Sequence, residues 1–150
     1  MSFVLQLPRQ AVLILLLVFF GAMCTSSLIP VMGFFIVEGL GQQPWQIALY
    51  AGIVAPLTMV VNRIFGERLD RMVTVKPLLL VSIIAYLVMA LLLASLPPFW
   101  LLIALGAPVM AVANGATSTE FTYGRLYAEK TGIEISQYNA WLRMGVSLAW

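Results

Sequence analysis

Residues 77–119 read PLLLVSIIAYLVMALLLASLPPFWLLIALGAPVMAVANGATST, 43 consecutive positions without a charged side chain. A helix crosses the hydrocarbon core of a bilayer in about 20 residues, so the interval holds two crossings. Pro97-Pro98, near its middle, marks where one ends and the next begins. In lipid every backbone N–H and C=O needs a partner within the protein, and a helix supplies one for each. The stretch therefore predicts membrane helices over 77–96 and 99–123, joined by a minimal hairpin.

The same reading extends toward both ends. Between Arg9 and Glu38 lie 28 uncharged residues, and between Glu38 and Arg63 another 24. They predict helices over 10–37 and 44–65. Gly39-Leu40-Gly41-Gln42-Gln43-Pro44 separates these two, with Pro44 suited to a first helical turn. Residues 66–76 are expected to form a charged loop. A last hydrophobic segment, 137–150, is too short to span at about 14 residues and predicts the start of a fifth helix, cut off before it closes. The expected class is an all-α membrane protein.

Composition agrees. Of 150 residues 62% are hydrophobic and 9% charged, with a mean hydropathy of +1.00, against about 25% charged in soluble domains. Lipid must be the solvent for most of the surface. There is no histidine, which removes the commonest metal ligand and general base. The single cysteine, Cys24, excludes an intramolecular disulfide and a thiolate cluster. No metal, cofactor or nucleic-acid partner is expected, and the chain does not read as an enzyme. A cleaved signal peptide is the rival for the first helix, but hydrophobicity resumes from Leu28 to Val37 and Met23 fits poorly before a lipid-modified cysteine.

The basic residues set an orientation. Arg9, Arg63, Arg68, Arg71, Lys76, Arg125, Lys130 and Arg143 all fall on one side of the predicted spans, and the loops at 38–43 and 97–98 carry none. By the positive-inside rule the N-terminus is cytoplasmic. Trp45, Tyr50, Trp100, Tyr123 and Trp141 fall near span ends and read as interfacial anchors. Gly21, Pro30, Gly33, Pro56, Gly106 and Pro108 are expected to kink helices or let them pack closely.

Within Gly66-Glu67-Arg68-Leu69-Asp70-Arg71 a glycine is followed four residues later by Asp-Arg. The major facilitator superfamily carries G-x-x-x-D-R-x-G-R at this position. Gly66, Asp70 and Arg71 match it, whereas Val73 and Thr74 stand where a second glycine and a basic residue are usual. Together with Pro30, Gly41-Gln42-Gln43-Pro44-Trp45, Arg125-Leu126-Tyr127-Ala128-Glu129, Leu142-Arg143 and Ser147-Leu148-Ala149-Trp150, the chain resembles the bacterial sugar efflux transporters of that superfamily. The likeness is scattered, from about residue 15 onward.

The resemblance implies a twelve-helix protein of the bacterial inner membrane, of which this chain would be the N-terminal part. It implies export of sugars or sugar-like solutes, coupled to protons, with the remaining helices and the lipid bilayer as partners. In that fold the first and fourth helices line a central cavity, with a solute site near mid-membrane. Polar residues there are Thr25, Ser26 and Ser27 in the first span and Asn114, Thr117 and Ser118 in the fourth, the last three sharing one helical face. They are candidates for binding a polyhydroxy solute, or small residues of helix packing. An acid of the loop between the second and third spans, an arginine and a second acid form a charge relay in the superfamily. Asp70, Arg125 and Glu129 are the residues here that would play it, a latch broken during alternating access.

Glu120 lies in the cytoplasmic third of the fourth span. An intramembrane carboxyl is expensive and marks a functional hypothesis. It would carry the coupling proton, or else form a structural pair with Arg143 or Arg125 or snorkel to the interface, and the structural role is the expectation. Alternative functions are drug or metabolite efflux by the same fold, which aromatic and apolar cavity walls would favour, and a non-transporting membrane scaffold.

Overall fold

The computed structural model describes residues 8–70 (Asp70 by its backbone alone) and 75–150. It is all-helical, with no strand among the described residues. Four helices are long and apolar enough to cross a membrane: α1 (Arg9–Gly39), α2 (Trp45–Leu69, its helical geometry continuing to Asp70), α3 (Val75–Ala94) and α4 (Phe99–Thr131). A shorter helix, α5, spans Ile135–Ala149. This is the architecture of a multi-pass membrane protein.

The face pattern of α3 shows which solvent it meets. Val75, Leu78, Ser82, Ala85, Met89 and Leu93 are buried along one stripe. Leu80, Ile84, Leu87 and Leu91, at helical spacing on another stripe, are each more than half exposed. A helix in water would carry polar residues there. Exposed leucine and isoleucine fit a hydrocarbon environment.

Several ends differ from the expectation. The predicted charged loop 66–76 is helical through Asp70, so Gly66 lies inside α2 rather than in a turn; residues 71–74, with Arg71, Val73 and Thr74, lie outside the described residues. Helix α4 likewise runs past residue 123 to Thr131. In both cases an i,i+4 ion pair reaches onto the extension: Arg63, inside the expected helix, donates from Nε to Glu67 Oε1 at 3.1 Å, and Arg125 Nε donates to Glu129 Oε1 at 2.9 Å. Such pairs support helix beyond the apolar segment. Helix α5 begins at Ile135, two residues before the expected start.

Two long helices contain a widened turn. Phe35–Gly39 at the end of α1 and Leu102–Gly106 near the start of α4 are π-helical, with Leu40 N–H bonded to Phe35 O and Ala107 N–H to Leu102 O. The second ends at Gly106, next to Pro108, where a kink or close packing is expected. Pro30 and Pro56 are carried inside continuous helix. Between α1 and α2, Gly41 takes φ +63°, and Gln43 N–H donates to Gln46 Oε1 at 2.7 Å, capping the start of α2.

The chain forms two compact units. In Ser27–Thr119, Met32 and Ile36 of α1, Tyr50 and Val54 of α2, Met89 and Leu93 of α3, and Leu102 and Met110 of α4 make the core. In the unit of Met1–Ser26 with Glu120–Trp150, Ala11, Ile14 and Val18 of α1 pack with Ala128 of α4 and Tyr138 and Leu142 of α5. Tyr138 is fully buried, and its hydroxyl donates to Ala11 O at 2.8 Å. Gly124 makes room for that helix: a Cβ there would lie 2.5 Å from Leu142 Cδ1.

Candidate solute cavity

Helix α2 turns Tyr50, Val54 and Thr58 to one face by their i, i+4, i+8 spacing. In the Ser27–Thr119 unit that face meets Ile29, Met32 and Gly33 of α1 and Met110 and Asn114 of α4 around a cavity of about 500 Å³. Three of its lining residues are polar: Tyr50, Thr58 and Asn114. Asn114 Nδ2 donates to Thr58 Oγ1 at 3.4 Å, a long bond. Tyr50 is only 5% exposed, and its hydroxyl is buried with no hydrogen-bond partner among the described residues. A buried polar group left unbonded costs about 1–3 kcal/mol. The cavity thus offers apolar walls and one loosely bonded polar pair, while the Tyr50 hydroxyl is shut off from open space.

Of the residues singled out for solute binding, Asn114 lines this cavity. Thr117 and Ser118 are not in its wall; the Ser118 hydroxyl lies 3.2 Å from Asn62 Oδ1 and 3.1 Å from Gly115 O, in the packing of α4 with α2. Thr25 and Ser26 fall in the other unit, where Thr25 donates to Gly21 O at 3.2 Å and Ser26 Oγ lies 2.7 Å from Ala149 O. The first is a bond back within α1, and the second joins α1 to α5. Tyr50 reverses the expectation of an interfacial anchor: it is core, whereas Trp45 and Trp100 are 62% and 70% exposed. Its regular spacing with Val54 and Thr58 was the available signal.

Glu120 lies in the unit of Met1–Ser26 with Glu120–Trp150. It is 3% exposed, and Oε2 is buried without a hydrogen-bond partner. Among the described residues no ion pair joins it to Arg143 or Arg125, and Arg125 is bonded to Glu129 instead. Of the relay residues, the side chain of Asp70 lies outside the described residues, as does Arg71 of the motif, and Arg125 and Glu129 form their i,i+4 pair on α4. No group of histidine, cysteine or acidic residues suited to a metal occurs among the described residues.

No protein-family model, curated protein or solved structure matches this chain.

Proposed function

We propose that this chain is part of a secondary transporter that carries a small amphipathic organic solute, with the cavity at Tyr50, Thr58 and Asn114 as its binding site. The observation that carries the reading is a cavity walled mostly by apolar side chains, whose Thr58–Asn114 pair is held by a bond of only 3.4 Å. A solute with one polar group that takes over part of that bonding, and an apolar body, satisfies the pair and fills the rest. A free sugar has hydroxyls on every side, and most would face methionine, valine and isoleucine at the cost of lost hydrogen bonds. The cavity therefore favours drug or metabolite efflux over export of an unmodified sugar.

The resemblance to major facilitator exporters supports the transport class and a bacterial inner-membrane location, and the one-sided distribution of basic residues supports a cytoplasmic N-terminus. Glu120 is the candidate proton carrier. Moving an unpaired carboxylate out of water costs several kcal/mol, and a carboxyl that takes up a proton avoids that cost. The test is saturable binding of chloramphenicol, a neutral amphipathic probe, to the chain in lipid nanodiscs, with glucose as competitor. Saturable binding that glucose does not displace supports the proposal. Displacement by glucose would return the site to sugars, and binding that never saturates would remove it.

A further inference from the structure

A second cavity, of about 370 Å³, lies within the unit of Met1–Ser26 with Glu120–Trp150 and differs from the first in its chemistry. Phe121, Thr122 and Arg125 of α4 and Asn139 and Arg143 of α5 line it. Two arginines from separate helices therefore line one space. Arg143 forms no ion pair among the described residues. The bond of Arg125 to Glu129 uses Nε, on an exposed i,i+4 pair, and a guanidinium has five N–H donors in a fork that matches oxyanions. Asn139 adds a neutral amide donor. No acidic side chain lines the cavity.

The position along α4 indicates where such a ligand comes from. Helix α4 has 33 residues, which at 1.5 Å per residue is about 50 Å, well beyond a hydrocarbon core of about 30 Å. Its charged last turns, with Arg125, Glu129 and Lys130, thus reach headgroup level, where arginine meets lipid phosphate. We propose that this cavity binds a phosphate-type oxyanion, held by Arg125 and Arg143 with Asn139 as a third donor. An anionic phospholipid headgroup and a phosphate-bearing solute share that chemistry.

The experiment follows the thermal unfolding midpoint of the full chain in nanodiscs of phosphatidylcholine, of phosphatidylcholine with phosphatidylglycerol, and of phosphatidylcholine with inorganic phosphate at matched ionic strength. The midpoint is expected to rise by several degrees in the second or the third. A rise with phosphatidylglycerol alone identifies the lipid, and a rise with phosphate a soluble ligand. Arg125→Gln and Arg143→Gln should each remove most of the rise, while Arg63→Gln on α2 keeps it. Should a glutamine variant fail to fold, Arg143→Lys retains the charge without the fork and should keep only part of the rise. No rise in either medium, or equal losses in Arg63→Gln and Arg143→Gln, would overturn the proposal.

Discussion

The carboxyl of Glu120 packs directly over the bare Cα of Gly21: a Cβ built at residue 21 would lie 2.8 Å from Oε2 and 2.9 Å from Cδ. Both residues belong to one compact unit. Glycine is needed here because of its neighbour, since its backbone is ordinary helix. The contact brings α1 close to α4 and buries the acid.

Gly21→Ala should therefore destabilise the protein by about 1–3 kcal/mol, the usual cost of overpacking. Glu120→Ser shortens the side chain by the atoms that clash, so the double variant should recover more than half of that loss. Chemical denaturation of the four proteins of the cycle in detergent measures the coupling. Additive effects would show that the two side chains do not meet.

Among the described residues no cation pairs with Glu120, so it should behave differently from a member of a buried ion pair. Glu120→Gln keeps the shape and removes the ionisable group, so its unfolding midpoint should equal or exceed that of the parent. Breaking a buried pair costs about 3–5 kcal/mol. A loss of that size, relieved by also replacing Arg143 with leucine, would establish the structural pair expected from sequence.

The four spans were legible because charge is excluded from hydrocarbon, so uncharged intervals of sufficient length mark them directly. Their ends were not legible from the same signal. Glu67, Arg125 and Glu129 read as charges beyond the helix ends, yet the pairs Arg63–Glu67 and Arg125–Glu129 continue their helices beyond the apolar segments. At the candidate site Asn114 was legible from the polar face it occupies. The hydroxyl candidates were not separable from packing residues, because a serine or threonine in a helix can bond a carbonyl one turn back, as Thr25 does to Gly21 and Thr119 to Gly115. Tyr50 was hidden by the habit of aromatic residues to sit at interfaces.

The α3–α4 hairpin contains a strained residue. Leu96 takes φ 48° immediately before Pro97, a left-handed conformation that costs a non-glycine residue roughly 1–2 kcal/mol. Its side chain is 64% exposed, so it contributes little packing. Leu96→Gly should raise stability by up to about 1 kcal/mol, read from the denaturation midpoint. A decrease would show that the side chain contributes more, through lipid contact, than the strain costs.

The distribution of basic residues predicts topology. In a Cys24→Ser background, single cysteines at Gln43 and Pro98 should react with a membrane-impermeant maleimide added to intact cells, and one at Thr131 only after lysis. Labelling at Thr131 from outside would reverse the orientation.

The most direct test of the account is the affinity of the cavity for chloramphenicol in nanodiscs, compared between the parent chain and Asn114→Leu. Removing an amide that bonds the ligand should weaken binding about 5–10-fold, or about 1–1.4 kcal/mol. Without ligand, the same variant should keep a midpoint close to that of the parent, because the bond it loses to Thr58 is long. Weaker binding together with a little-changed unliganded midpoint is the predicted result. Unchanged affinity in Asn114→Leu, or binding that does not saturate in either protein, would contradict it.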